Sequence, residues 1–184
     1  ALKQCVTTEL NIEGNPTEDF RRMVLEVQPQ QVTLVPDSVD QLTSNHGWDT
    51  KQYADDLRMW IEAFHDKGIR VSVFVDPIPE MVEHAALVGA DRVELYTGPY
   101  AELYATHPLQ AIEAYRAAAL CAKKVGLGLN AGHDLNLHNL NDLVTAFPWI
   151  DEVSIGHALI ADALYLGIEE TIRQYKRCLV INEN

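Results

Sequence analysis

The sequence has 184 residues, 47% hydrophobic and 22% charged, the balance of an ordinary soluble globular chain and enough for one domain over 1–184 with a substantial core. A formal net charge of −13 argues against a nucleic-acid partner, whose phosphates call for Lys and Arg, and no apolar run approaches the ~20 residues of a membrane span. Cys5, Cys121 and Cys178 are odd in number, widely spaced and in no CxxC pair; with no signal-peptide pattern opening the sequence as given, a reducing cytoplasm is the expected location.

In chain order, the first β-rich segment is Val6–Glu13, where Leu10 and Ile12 alternate with Asn11 and Glu13 ahead of a Gly14-Asn15-Pro16 break. A second is Gln31–Pro36. The polar stretch Leu42–Asp49 reads as a lid or a connector, and Asp49 with Gln52 as a capping-box-like start for a helix over Asp49–Lys67. Tyr53, Leu57, Ile61 and Phe64 share one face of that helix, and Gly68 stops it. Strand Arg70–Asp76, helix Pro79–Val88, strand Arg92–Thr97, helix Pro108–Lys124 and strand Gly126–Ala131 follow. A short helix over Asn139–Phe147, strand Glu152–Gly156 and helix Ile168–Leu179, with Ile168, Ile172, Tyr175 and Leu179 at helical spacing, close the pattern. Alternating strands and helices imply an α/β protein with a parallel sheet, open or closed. No repeat or low-complexity segment interrupts it.

One set of alternating strand positions is apolar (Val71, Val73, Val75; Val93, Leu95; Val153, Ile155), as expected under helices. The other set is unusually polar: Asn11 and Glu13, Ser72 and Asp76, Glu94 and Tyr96, Asn130 and Gly132, Ser154 and Gly156. The plain alternative to a functional interior is a hydrogen-bonded polar layer without chemistry. Glu13 ends its strand where barrel enzymes keep their reacting groups and suits a general base, unless it only caps a helix starting near Thr17 or pairs with a lysine. His133, after Gly132 at a strand end, is the leading acid/base candidate. Gly156 and His157 precede the apolar Ala158-Leu159-Ile160, so backbone contact with an anion fits them better than proton transfer. His138 reads as a helix-start residue; His46, His65, His84 and His107 as surface or loop residues. Glu13, Glu94, His133 and His157 are metal-ligand types, but without HxH or HExxH spacing no metal is expected.

Taken together, Asn11-Ile12-Glu13, Leu34-Val35-Pro36-Asp37, Thr43-Ser44 with Gly47-Trp48-Asp49, Val71–Asp76, Val93–Ala101, Asn130-Ala131-Gly132-His133 and Ile155-Gly156-His157-Ala158 resemble the pyridoxine 5′-phosphate synthase family over essentially the whole sequence. The resemblance implies a TIM (β/α)8 barrel, of which about six βα units are present. It implies condensation of 3-amino-2-oxopropyl phosphate with 1-deoxy-D-xylulose 5-phosphate to pyridoxine 5′-phosphate, phosphate and water, without metal or other cofactor. Glu13 would be a proton acceptor and His133 the proton donor, with Thr43, Glu94 and the backbone at Asp134, Gly156 and His157 binding substrate. A homo-oligomer, commonly an octamer, is also implied.

The sequence departs from the family at Asp134, where glycine is common, and at Asn45-His46-Gly47 in place of a glycine pair. Asp134 is expected to turn its carboxylate away from a bound phosphate and offer only its N–H. The family's first two strands, with an Asp-His and a His-x-Arg, would precede Ala1, so the sequence is expected to be a fragment, and its own turnover is left open. Other readings are a different phosphate-sugar barrel enzyme, an aldolase or epimerase, or a phosphate-binding barrel remnant without turnover.

Overall fold

Six short strands alternate with helices, and each strand finds its partner in the next one along the chain. The computed structural model describes residues 2–37 and 40–180. After a helical turn, α1 (Leu2–Cys5), come β1 (Asn11–Gly14), α2 (Glu18–Val27), β2 (Gln31–Leu34), α3 (Ala54–His65), β3 (Arg70–Val75), α4 (Pro79–Leu87), β4 (Arg92–Tyr96) and α5 (Gly98–Tyr104). α6 (Pro108–Val125), β5 (Gly128–Gly132), α7 (Leu140–Ala146), β6 (Ile150–Ser154), α8 (His157–Leu166) and α9 (Ile168–Cys178) complete the order. The strands form one parallel sheet in the order β1-β2-β3-β4-β5-β6.

The outward positions meet the helices. Val32, Leu34, Val71, Val73, Val75, Val93, Leu95 and Leu129 are buried in one core with Leu57, Ile61 and Phe64 of α3, Val82 of α4 and Tyr115 of α6. Burying each such aliphatic side chain is worth about 1.5–3 kcal/mol. Ile12, Val153 and Ile155, on or beside the edge strands, are only partly buried against it.

The inward positions fall into rows set by the register: Asn11–Gln31–Arg70, then Glu13–Thr33–Ser72–Arg92–Gly128, then Phe74–Glu94–Asn130–Glu152, then Tyr96–Gly132–Ser154. Glu152 on β6 nevertheless accepts hydrogen bonds from Asn11 on β1 (3.3 Å) and Gln31 on β2 (3.0 Å), two rows below its own. Only a sheet that curls and staggers brings those atoms together, and stagger is the geometry of barrel closure. The described residues make a curled, six-stranded part of such a barrel, with β1 and β6 as its edges.

Several sequence expectations need correction. Strand β1 starts at Asn11 rather than Val6, because Asn11 is the first residue opposite β2, and residues upstream have no neighbour to pair with. α3 starts at Ala54, after a turn in which the Asp49 carboxylate accepts the Lys51 and Gln52 N–H groups (3.2 and 2.8 Å). Tyr53 precedes that helix, 40% exposed and edge-on to Trp48, not on its buried face. Gly126 is the left-handed cap of α6 (φ 82°), so β5 begins at Gly128. Strand β6 spans Ile150–Ser154 because Asp151 is an extra residue in the ladder: its carboxylate accepts Leu129 N–H (3.0 Å), and Asn130 pairs with Glu152. In α9, Thr171 and Tyr175 are buried, whereas Ile168, Ile172 and Leu179 are 51%, 41% and 42% exposed. Helices α5 and α8 were not anticipated as separate elements.

Candidate active site

The C-terminal ends of the strands open onto a cleft of about 420 Å³. Glu13, Thr43, Glu94, His133, Asp134, Gly156 and His157, each singled out in the sequence, all line it. Asp37, Ser44, Phe74, Ser154 and Ile155 complete the wall. A larger cavity of about 660 Å³ lies beside α4, between Trp48, Tyr53 and Met81, and holds none of those seven residues.

Glu94 is the most confined of the carboxyls. It is 1% exposed, and its Oε2 has no hydrogen-bond partner. Space for it comes from Gly132 on the adjoining strand: a Cβ there would lie 2.0 Å from Glu94 Oε1 and 2.9 Å from Ser154 Cβ. Burial pushes the Glu94 pKa up to about 8, with the Glu13 charge adding to it, a Ser154 hydrogen bond opposing it and Glu152 adding again. Glu13 stands at the open edge of the sheet and, among the described residues, makes no hydrogen bond or ion pair. Desolvation by the surrounding wall, then Asp37 and Glu152, raises its pKa above the usual carboxylate value. It is not the helix cap: Thr17 caps α2, accepting Phe20 N–H at 3.2 Å.

The His133 ring is held on several sides. Nε2 is 2.9 Å from Thr43 Oγ1, Tyr96 meets the ring edge-on at 5.0 Å, and Nδ1 is 3.0 Å from Asp134 Oδ2 without hydrogen-bond geometry. The backbone is fixed as firmly. The Thr97 hydroxyl donates toward the carbonyl oxygens of Gly132 and His133 (2.7 and 2.6 Å), while His133 and Asp134 both take positive φ, 90° and 58°. For non-glycine residues these are uncommon conformations that the surroundings must enforce. They also overturn the expectation for Asp134. The left-handed turn swings its carboxylate toward the His133 ring, not away from the cleft.

Gly156 is the N-cap of α8 and His157 its first residue; Ile160 N–H bonds Gly156 O (3.2 Å), so the amides of the first turn lack intrahelical partners at the mouth. No lysine or arginine lines the cleft, so an anion there relies on such amides and on hydroxyls. The stretch Leu42–Asp49 has no regular structure, and its far end is pinned: Trp48 N–H donates to Phe74 O (2.9 Å) and its indole to Leu34 O (3.1 Å). Gly47 is required there, because a Cβ would lie 2.3 Å from the backbone of Val75 and Asp76. His138 precedes α7 in an Asn136–Asn139 turn, and His65 and His84 lie on exposed helix surfaces, His65 paired with Asp91 at 2.7 Å. Sequence reasoning gave no role to Asp37, Ser44 or Thr97. Asp37 and Ser44 stand inside quoted motifs, and the Ser44 hydroxyl donates to Asp37 at 2.5 Å.

Comparison with known proteins agrees with this site. The family model for pyridoxal phosphate biosynthesis protein PdxJ matches residues 1–181. The pyridoxine 5′-phosphate synthase of Bacteroides thetaiotaomicron is 57% identical over 178 residues, 97% of this chain and 75% of that protein. That of Cytophaga hutchinsonii is 58% identical over 176 residues, 96% and 74% respectively. A crystal structure of DHDPS from Cyanidioschyzon merolae with lysine bound shares the fold alone, with TM-score 0.62 and 12% identity over 94% of this chain and 60% of that one. On the family match and these identities, the chain belongs to the pyridoxine 5′-phosphate synthase family.

Proposed function

We propose that the cleft condenses 3-amino-2-oxopropyl phosphate with 1-deoxy-D-xylulose 5-phosphate, releasing pyridoxine 5′-phosphate, phosphate and water, by general acid–base catalysis on the groups described above. The observation that carries the residue assignment is the convergence of Glu13, Glu94 and His133, from three different strands, on one cleft. The amine must add to a ketone, water and phosphate must leave, and a carbon–carbon bond must close the ring; each step moves a proton. Glu13, raised in pKa but free of partners, takes protons. His133, oriented by Thr43 and Tyr96, returns them to leaving groups. Glu94, with a pKa of about 8, is protonated through most of the neutral range, so it donates a hydrogen bond and removes one negative charge from a wall that must accept phosphates. The α8 N-terminus and the 133–134 turn hold the phosphate of the amino-ketone, and Thr43 contacts the sugar phosphate. No lysine lines the cleft for a Schiff-base aldolase.

The same reading takes residues 1–184 as one domain supplying six of eight barrel units, active as a cytoplasmic homo-oligomer, an octamer by family resemblance. Ile160, Leu164 and Tyr165 on α8 (60%, 81% and 90% exposed) give it an apolar face suited to burial in an assembly. No helix among the described residues is long and apolar enough to cross a membrane.

The test is product fluorescence after mixing the chain with both substrates, in parallel with Glu13→Gln and His133→Ala. Each substitution should cost about 10²–10⁴-fold in rate with the melting temperature little changed. Wild-type rates in both variants would remove the assignment. If the 184-residue chain is silent, the same comparison is made on the chain extended at its N-terminus to the length of its relatives.

A further inference from the structure

One inward-facing carboxylate takes no part in the proposed chemistry yet touches more of the sheet than any group that does. Glu152, on the edge strand β6, accepts from Asn11 Nδ2 on β1 (3.3 Å), Gln31 Nε2 on β2 (3.0 Å) and Arg92 NH1 on β4 (3.5 Å). Its partners are themselves fixed. Asn11 exchanges hydrogen bonds with Thr33 (3.0 and 3.2 Å), Gln31 accepts from Arg70 Nε (2.8 Å), and Arg92 also donates to Asn130 Oδ1 (3.1 Å). Two residues further along each strand, on the same inward face, stand the groups of the cleft: Glu13 beyond Asn11, Glu94 beyond Arg92 and Ser154 beyond Glu152.

We propose that Glu152 is a positioning residue: reaching across the concave face to β1, β2 and β4, it fixes Glu13 relative to Glu94 and sets a negative charge beneath both. The inference deepens the acid–base reading of the cleft and rests on it. Around Glu94 the titratable or charged groups are Glu13 from β1, Asp37 beyond β2, Arg92 and Tyr96 on its own strand, His133 and Asp134 beyond β5, and Glu152 on β6; β3 adds only Ser72 and Phe74. Arg92 offsets Glu152 from below. Glu152 still raises both Glu13 and Glu94, and it is the one charge common to both that lies outside the cleft wall. A carboxylate that served the fold alone would not need that place, since an apolar pair could fill the floor at no loss of stability.

Two substitutions separate the reach from the charge. Glu152→Gln keeps the length and removes the charge; Glu152→Asp keeps the charge and is too short for Asn11 and Gln31. The protonated-carboxyl stretch of Glu94, assigned by its loss in Glu94→Gln, is followed by infrared spectroscopy of the full chain against pH. It should titrate roughly half to one pH unit lower in Glu152→Gln than in wild type and stay near wild type in Glu152→Asp. The side-chain amide protons of Gln31 and Asn11 should exchange with solvent at least ten-fold faster in Glu152→Asp, where kcat should fall about ten-fold with KM changed less. An unmoved Glu94 titration in Glu152→Gln overturns the charge role, and unchanged amide exchange in Glu152→Asp overturns the reach. Both readouts work on a chain that makes no product, so failure of the synthase reading is told apart from failure of this one. Should Glu152→Gln not fold, Glu152→Asp alone still decides the reach.

Discussion

The floor and the mouth of the concave face are built from the same kinds of side chain, but they differ in how their polar groups are satisfied. On the floor, Asn11, Gln31, Thr33, Arg92 and Glu152 bond one another across four strands. Toward the mouth, buried polar atoms of Ser72, Glu94, Asn130 and His133 have no partner. Leaving a buried polar group unpaired costs about 1–3 kcal/mol, so the mouth is held at the expense of stability. The contrast separates a polar layer that shapes the sheet from one whose free valences await a ligand.

The strongest way to break the contrast is to close the space that the mouth keeps open. Gly132→Ala would put a methyl group 2.0 Å from Glu94 Oε1, so Glu94 must leave its position. We expect activity to fall by about 100-fold or more and stability by roughly 1–3 kcal/mol, measured by product formation and urea unfolding. Unchanged rates would mean that the place of Glu94 does not matter.

Glu94→Gln sharpens the contrast through its pH dependence. The folded-state pKa, about 8, lies above the ordinary 4.5, so the folded chain holds this proton more tightly than the unfolded one. The stability this gives is fully present below pH about 4.5 and lost as pH rises through about 8. Glutamine cannot ionise, so the variant should lose that slope and gain on wild type by about 1–3 kcal/mol between pH 5 and pH 8, since one pK unit is about 1.4 kcal/mol. Parallel urea curves at the two pH values give the comparison, and an equal difference at both would place the proton elsewhere.

Asp134→Gly has the smallest effect. Glycine relieves the left-handed backbone at φ 58° but gains freedom in the unfolded chain, so the net change should stay within about 1 kcal/mol. Loss of the carboxylate beside His133 should change the rate by less than about ten-fold. A larger fall in rate would raise Asp134 to a group the reaction depends on.

Much of the arrangement was legible because it follows from local periodicity. Val71, Val73 and Val75 against Ser72 and Phe74 give the two faces of β3 directly, and a glycine before a histidine marks the mouth at Gly132 and Gly156. What escaped depends on neighbours distant in sequence. Val6–Leu10 has strand-like residues but no strand opposite it, so nothing fixes it as one. The reach of Glu152 to Asn11 spans 141 residues and comes from the curl of the sheet, which no window along the chain contains. Asp134 was misread because charge repulsion was weighed without the backbone angle that decides where its carboxylate goes.

The extra residue in β6 has a consequence for how this chain tolerates changes in length. Asp151 displaces the pairing by one, so Glu152 and Ser154 face inward and Val153 faces the helices. Deleting any single residue between Ile150 and Glu152 would exchange those faces, putting Val153 into the cleft and a carboxylate against the apolar core. Point changes along β6 alter one contact each, whereas a one-residue deletion inverts the strand. Insertions and deletions should therefore be far rarer in viable variants of this segment than substitutions, and confined to the loops on either side.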